Sequence, residues 1–319
     1  MPSIRRSSTR RSAPSSDVAA PAAPAAGPAE ATALEPASAE PTSFTRPSHR
    51  RRLAVERYLA PKEPIPRPVY AGLGIVSFAL ILGLWSLLTY PGLVNPFFLP
   101  SPSTVATSFY SLFAEHDFLS DVWASTYRIF AGFLIAATIA VPLGIAIGSF
   151  RAVQGFFEPP IAAVRYMPAS AFIPLLIVWF GLEDTEKIAV IFIGVFFPLT
   201  LMIADVSANV PKELLNIAYT LGATRRQVFF RVLLPACWPG VLDNLRIAIG
   251  WAWTYLIVAE LVAASTGIGH VILTASRFLE PQVIIAGILT IGILGLVTDT
   301  FFRWLYRFLF PYTERVAGR

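Results

Sequence analysis

The sequence predicts an all-α integral membrane protein with six transmembrane helices, a helical hairpin on the cytoplasmic side, and both termini in the cytoplasm. Three observations lead to this fold class. Hydrophobic residues make up 55% of the 319 residues and charged residues 14%, whereas charged residues make up about 25% of typical soluble domains. Apolar segments recur at the length of a bilayer span. Basic residues cluster in alternate connections between those segments.

The predicted spans are the apolar segments of about 20 residues, the length that a helix needs to cross the hydrocarbon core. They cover residues 69–90, 126–149, 159–181, 188–206, 241–264 and 283–302. Several contain proline or glycine, which membrane helices tolerate where neighbouring groups satisfy the freed backbone. We therefore place a six-helix membrane domain at residues 69–310, with its core at 122–308, followed by a short cytoplasmic C-terminus at 311–319.

The first 68 residues have a different composition, rich in alanine, proline and arginine and without apolar periodicity. Such a segment buries too little apolar surface to offset the entropy of ordering it. We expect a disordered cytoplasmic tail whose basic residues lie near acidic lipid headgroups.

Charge sets the expected orientation. Basic residues precede the first span, follow the second, fill the connection between the fourth and fifth, and follow the sixth. The connection at residues 91–127 has no lysine or arginine but contains three acids, Glu115, Asp117 and Asp121. Because positive residues remain on the cytoplasmic side, all the basic connections and both termini are expected there, in the inner membrane of the cell. The net charge of +5 therefore reflects orientation and does not indicate a nucleic-acid partner.

Composition also argues against several chemistries. The single cysteine, Cys237, forbids a disulfide within the chain, and a single cysteine with three scattered histidines argues against a structural zinc site. The sequence has no G-x-x-x-x-G-K-[ST] loop, so it is not expected to bind ATP by that route. We expect no cofactor, no metal and no enzymatic activity in this chain.

The strongest local pattern lies in the connection between the fourth and fifth spans. Residues 211–222 are too polar to cross a membrane, yet four apolar residues there share one helical face: Leu214, Ile217, Ala218 and Leu221. Pro211 suits a first helical position and Gly222 a C-terminal cap. A second short helix is expected at 223–234, ending at Pro235. The periodicity alone allows either an amphipathic helix on the bilayer surface or a surface that docks a partner protein.

These residues also carry a family resemblance. The hairpin run from Ala218 through Gly222 to Leu234-Pro235 resembles the cytoplasmic "EAA" loop of ABC importer permeases. Other motifs resemble the nitrate/sulfonate/taurine/bicarbonate permease family within that group. They are Leu99-Pro100-Ser101-Pro102-Ser103, Met167-Pro168, Ala171-Phe172-Ile173-Pro174-Leu175, Trp179-Phe180-Gly181, Leu245-Arg246, Gly250-Trp251-Ala252-Trp253, Ala259-Glu260-Leu261 and Gly267-Ile268-Gly269.

The resemblance implies a type I permease that imports a small anion of the nitrate, bicarbonate, sulfonate or taurine class. Two permease chains, here expected as a homodimer, would form the pathway. A periplasmic binding protein would deliver the substrate, and two cytosolic ATP-binding subunits would drive transport. The hairpin would be the coupling helix that contacts them, through Glu213, Leu214, Ile217, Ala218, Leu221, Gly222 and Pro235. One departure is Asn216, which stands where the family has glutamate; Glu213 is a candidate replacement on the same helix face.

Polar and aromatic residues inside the spans supply candidates for the pathway or its gate, because charges in a membrane are costly and mark function. The candidates are Arg165, Asp243, Arg246, Trp251 and Glu260. Asp243 and Arg246 are expected to pair at i, i+3, and Glu260 to hold the gate geometry by hydrogen bonds. Arg128 is expected to anchor its helix at the membrane interface.

Two other classes of protein remain as alternatives. A secondary transporter driven by an ion gradient would need intramembrane acids or broken helices at matching positions of two repeats, and no clear repeat is present. A membrane-embedded enzyme would need clustered polar groups at membrane depth, whereas His49, His116 and His270 are far apart in the sequence.

Overall fold

The computed structural model describes residues 66–115 and 117–311, and almost all of them are helical. The predicted tail therefore lies outside the described residues except for its last three, and the predicted C-terminus except for residue 311. The helices run in the order α1 Arg67–Thr89, α2 Pro102–Glu115, α3 Phe118–Ser149, α4 Arg151–Val164, α5 Ile173–Phe180, α6 Asp184–Ala208, α7 Lys212–Thr220, α8 Arg225–Val228, α9 Leu234–Ala263, α10 Ile268–Arg277 and α11 Pro281–Leu309.

Within the described residues, five helices are long and apolar enough to cross a membrane. They are α1, α3, α6, α11 and the continuous stretch of 38 residues that starts at Arg225 and includes nearly all of α9. The bent pair of α4 with the 169–180 segment supplies a sixth span if it is counted as one. The predicted fold class, an all-α membrane protein with six spans, is confirmed.

The third predicted span, residues 159–181, is wrong as a single straight helix. Helix α4 ends at Val164, and a short 3-10 helix at Ala169–Phe172 leads into α5, so that the two halves are bent by 81°. Pro168 has extended backbone, with φ −64° and ψ 126°. Proline disfavours the helical conformation of the residue before it, which explains why the helix cannot continue through Met167.

The centre of the bundle is the pair of helices α3 and α6. Small residues at every fourth position of α3 form the contact surface: Gly132, Ala136, Ala140, Gly144 and Gly148. A Cβ added at Gly144 would lie 2.6 Å from the backbone carbonyl oxygen of Thr200 in α6. Small residues let membrane helices approach this closely and gain dispersion contacts, so these two helices form one rigid unit.

The hairpin continues directly into the longest helix. Helix α8 passes through a π-helical segment at Phe229–Leu233 into α9, so the predicted stop at Pro235 is wrong. Pro235 lies in the first turn of α9, directly after the π-helical segment, where the backbone already departs from the regular hydrogen-bond pattern that a proline interrupts. Residues 225–263 therefore form a nearly continuous rod of roughly 58 Å.

The connection predicted at residues 91–127 contains helix α2, which we had not expected. Ser101 caps the start of α2, because its side-chain oxygen accepts a hydrogen bond from the backbone N–H of Thr104 at 3.3 Å. Pro102 follows as the first helical residue, the arrangement that helix starts favour. The proline–serine motif after the first span is thus a helix start.

The close approach of α3 and α6 makes a stability prediction. Gly148→Ala should lower the free energy of unfolding by about 1–3 kcal/mol, because the new Cβ would collide with the backbone carbonyl oxygen of Ala204. The matched control is Gly83→Ala in α1, where a Cβ meets nothing within 4 Å. There alanine should stabilise the helix by about 0.5–1 kcal/mol. Thermal unfolding of the purified protein in detergent measures both changes, and equal effects would contradict the packing described.

Candidate functional site

The first candidate site is the hairpin formed by α7 and α8. Helix α7 ends in a left-handed turn at Gly222, which has φ +83°. The N–H of Gly222 donates to the carbonyl of Tyr219 at 2.9 Å, and the N–H of Ala223 donates to the carbonyl of Ala218 at 3.1 Å. These two bonds form a Schellman cap, so the expected C-terminal cap at Gly222 is confirmed. Helix α7 itself begins at Lys212, one residue after the expected start, with Pro211 as its N-cap.

The second half of the hairpin is fixed by a capping box. The backbone N–H of Gln227 donates to the side-chain oxygen of Thr224 at 3.4 Å, and the backbone N–H of Thr224 donates to the side chain of Gln227 at 2.8 Å. These reciprocal bonds satisfy orphan donors at the start of α8. The turn between α7 and α8 is therefore rigid on both sides, and the exposed Arg225 and Arg226 follow it.

The apolar stripe of α7 faces outwards from the bundle. The side chains of Leu214, Ile217 and Leu221 are 42%, 60% and 81% exposed, whereas Ala218 is half-buried. Ile217 and Leu221 line a shallow groove of about 390 Å³, and Glu213 lies at its edge with Asn216. The hairpin thus presents an apolar surface with an acid beside it.

The second candidate site is a buried charge network at the opposite end of the bundle. Helix α6 begins at this end, with Asp184, and reaches the hairpin at its C-terminus. Arg128 of α3 lies at the centre, and its side chain is only 4% exposed. Its guanidinium donates to Asp184 Oδ1 at 2.7 Å and to Glu260 Oε1 of α9 at 2.7 Å. It also donates to the backbone oxygen and the hydroxyl of Thr266, both at 2.8 Å.

Glu260 is fully buried, and both of its carboxylate oxygens are satisfied. Ser125 donates to it at 2.8 Å, and the backbone N–H of Gly269 donates to Oε2 at 2.8 Å. Together with Arg128, these donors compensate the loss of hydration that a buried carboxylate suffers. The expectation that Glu260 forms hydrogen bonds within the bundle is confirmed, and its role as a gate stays a prediction.

The loop after α9 is built around this network. Gly267 has φ +109°, a conformation that other residues rarely adopt, and a Cβ there would collide with the Glu260 carboxylate. Its N–H donates to Asp121 Oδ1 at 2.6 Å, and the next N–H, of Ile268, donates to Ser125 Oγ at 2.9 Å. The backbone N–H groups of the Gly267-Ile268-Gly269 motif therefore donate to three side chains of the network, Asp121, Ser125 and Glu260.

The remaining candidates are dispersed. Arg246 forms its ion pair with Asp299 of α11, so the expected ion pair with Asp243 is wrong. Asp299 also binds Arg303 one turn later on α11, so a carboxylate on the neighbouring helix takes the place of the one on the same helix. Asp243 is exposed, and the half-buried Trp251 packs against the main core. Arg165 is exposed at the end of α4, with its guanidinium carbon 5.0 Å from the centre of the Tyr166 ring.

The network could not be predicted from the sequence because its members lie far apart in the chain; Arg128 and Glu260 are 132 positions apart. Arg128 is not an interface anchor as expected, since its side chain is buried. The sequence did contain a signal for the pair. Arg128 and Glu260 lie inside predicted spans and have opposite charges, and each charge alone would be costly in a membrane, so the two could have been expected to pair. Asp121, Ser125 and Arg128 also recur at i, i+4 and i+7 on one face of α3.

A comparison with protein-family models decides the family. Residues 140–313, more than half of the chain, match the family described as "Binding-protein-dependent transport system inner membrane component". The chain belongs to this family. It is thus the multi-pass membrane component of a binding-protein-dependent transporter, and the resemblance inferred from the hairpin and its companion motifs is confirmed.

Curated permeases of the same kind resemble this permease over most of their length. The taurine transport system permease protein of Escherichia coli (strain K12) is 33% identical over 79% of this chain and 93% of its own. The putative aliphatic sulfonates transport permease protein of Bacillus subtilis (strain 168) is 31% identical over 77% of this chain and 89% of its own. The nitrate import permease protein of Synechocystis sp. is 29% identical over 75% of this chain and 90% of its own.

The burial of Arg128 makes a second stability prediction. Arg128→Met should lower the free energy of unfolding by about 3–5 kcal/mol, because Glu260 would remain as an uncompensated buried charge. The same substitution at the exposed Arg165 should change it by at most about 1 kcal/mol. Thermal unfolding in one detergent compares the two variants. Similar losses for both would contradict the network's role in holding these helices together.

Proposed function

We propose that this chain is the pathway-forming permease of an ATP-driven importer for small anions, with its hairpin in the cytoplasm. Two copies of the chain form the pathway, ATP-binding subunits bind the hairpins, and a periplasmic binding protein delivers the substrate at the other end. All ATP chemistry belongs to those separate subunits, in keeping with the lack of a phosphate-binding loop in this sequence.

The observation that carries this proposal is the exposed apolar stripe of α7. Leu221 is 81% exposed and Ile217 60% exposed, next to a turn that is capped at the end of α7 and at the start of α8. A short rigid helix that presents apolar side chains at i, i+4 spacing is suited to fill a groove on a partner protein. An amphipathic helix that only lay on the bilayer surface would not require a turn that is capped on both of its sides.

Glu213 supplies the acidic contact that Asn216 no longer offers. Both residues border the groove that contains Ile217, and Glu213 lies one turn before Ile217 on the same face. A carboxylate at the rim of an apolar contact adds specificity and steering more than affinity. An ATP-binding subunit with a basic residue opposite Glu213 would match this arrangement.

The relatives favour a sulfonate as the substrate. Two of them are assigned to sulfonates, taurine for one and aliphatic sulfonates for the other, and a third, assigned to nitrate, also carries a small oxyanion. A secondary transporter would have no use for the capped hairpin, and no observation favours that alternative.

The hairpin makes a direct binding prediction. Ile217→Asp should reduce the amount of ATP-binding subunit that copurifies with the tagged permease by about tenfold or more, because a charge would replace the burial of an apolar side chain. Lys212→Asp is the matched control, since it places the same residue on α7 outside the apolar stripe. Equal copurification with both variants would rule out the stripe as the docking surface.

The substrate class is tested on the partner binding protein by calorimetry. Taurine should bind, whereas ethanolamine, which has the same carbon chain and lacks the sulfonate, should not, because oxyanion recognition depends on groups that hydrogen-bond the sulfonate. Nitrate and bicarbonate are titrated in parallel. Binding of nitrate alone would replace the sulfonate assignment, and binding of none of these anions would reject the anion class.

A further inference from the structure

We infer that the C-terminal end of α10 is a docking surface for the periplasmic binding protein, and that this partner presents an apolar socket with a lysine or arginine beside it. The docking surface consists of the exposed side chains of Phe278 and Leu279 and of the cavity that Phe278 borders. The inference rests on the proposed function, since it requires a binding protein that delivers the substrate at the end opposite the hairpin.

Leu279 occupies a position where a helix end favours glycine. Its φ of +60° lies in the left-handed region. Its N–H donates to the carbonyl of Ser276 at 3.3 Å, and the N–H of Glu280 donates to the carbonyl of Ala275 at 2.9 Å. These two bonds form a Schellman cap for α10, with Leu279 at the left-handed position. Leucine is strained in this conformation, because its Cβ crowds the backbone, whereas glycine is not.

The strained side chain contributes little to the core. Leu279 is 65% exposed and the preceding Phe278 is 73% exposed, so two neighbouring apolar side chains face away from the bundle. A glycine at position 279 would form the same cap without strain. Backbone strain is retained mainly where function requires it, so we assign Leu279 to contact with a partner.

The docking surface is anchored through the other end of α10. The backbone N–H of Gly267 donates to Asp121, and the N–H of Gly269 donates to the buried Glu260. One face of α10 is buried as well, with Ile272 in the hydrophobic core. A contact surface that is already ordered loses less conformational entropy when a partner binds.

The cavity beside Phe278 has a volume of about 480 Å³, and both charged side chains in its lining, Asp121 and Glu280, are acidic. His270 lines it too, with Nδ1 2.8 Å from the carbonyl oxygen of Ala264. Because that oxygen only accepts, Nδ1 carries the proton and Nε2 is left as an acceptor. The apolar part of the lining includes Leu112, Phe118, Val271 and Val283. Acceptors next to an apolar wall suit a side chain with an aliphatic stem and a cationic head, which is lysine or arginine.

The other charges at this end favour a protein over a membrane as the occupant. Glu115, Asp117, Glu183 and Glu280 are exposed, and Arg277 is the one exposed cation in the described connections of this end. A surface with this excess of acids is repelled by anionic lipid headgroups. The same charges are complementary to a protein surface that carries basic residues.

The first test uses the complete transporter in lipid vesicles, with its ATP-binding subunits and binding protein. The readout is the concentration of taurine-loaded binding protein that gives half-maximal stimulation of ATP hydrolysis. Leu279→Gly should raise this concentration by about tenfold or more, because the burial of a leucine side chain is lost. The same variant should unfold at a higher temperature, since the strain is relieved. A loss of function in a more stable protein separates docking from folding.

Leu119→Gly is the matched control. Leu119 lies at the same end of the bundle, in the first turn of α3, and is also 65% exposed. The helical backbone there gives glycine no strain to relieve, so the unfolding temperature should not rise. The half-maximal concentration should stay unchanged.

Charge reversal tests the cavity. Glu280→Lys should raise the half-maximal concentration by about fivefold or more, because two cations would then face each other. Glu115→Lys reverses an exposed acid of α2 that does not line the cavity, and it should change the concentration by less than about twofold.

An unchanged half-maximal concentration in Leu279→Gly would overturn the inference, and so would equal effects within either pair of variants. A photoreactive phenylalanine analogue at position 279 should form an adduct with the binding protein. Adducts with lipid alone, or with a second permease chain alone, would overturn the inference as well. If the wild-type transporter itself shows no stimulation by the loaded binding protein, the proposed function fails instead.

Discussion

The interaction on which the structure most depends is the ion pair between Arg128 and Glu260. A membrane interior penalises each of these charges alone, so their burial forces α3 and α9 together at one end of the bundle. The same guanidinium holds Asp184 at the start of α6 and Thr266 in the loop after α9. The Arg128 side chain thereby connects four segments of the chain. Glycine is needed at positions 267 and 269 because the backbone there lies so close to the Glu260 side chain that a Cβ would collide with it.

The hairpin end of the protein is stabilised in a different way. There the chain exposes apolar side chains, and its rigidity comes from backbone caps at Gly222 and Thr224. A buried network at one end and an exposed, capped hairpin at the other are connected by residues 225–263. Besides the Arg128 network, the described residues include the buried pair Glu186–Lys187 and the half-buried pair Arg246–Asp299.

Much of this architecture could be predicted from the sequence, and the limits have physical causes. The apolar segments and the Gly222 cap depend on local composition, so they were predicted, although α3 and the helix that contains α9 begin before the predicted spans. A proline ends the helix near Pro168, whereas the helix continues through Pro235. Which of the two happens depends on whether the backbone groups freed by the proline find other hydrogen-bond partners, and a single sequence does not show this. The same holds for the partners of Arg246 and Glu260, since α11 supplies Asp299 and α3 supplies Arg128. The motif Ala259-Glu260-Leu261 identified Glu260 as one member of the network. Its partner Arg128 is 132 positions away, so the pair could be recognised only in the folded structure.

The exposed stripe of α7 is the surface that we propose contacts an ATP-binding subunit. Site-specific photo-crosslinking tests it directly, with a photoreactive phenylalanine analogue at Leu221 in native membranes. We expect an adduct between the permease and the ATP-binding subunit, and none from the same analogue at Leu84 of α1, which is also exposed in this chain. Adducts with lipid alone at Leu221 would show that α7 lies on the bilayer surface and does not dock an ATP-binding subunit.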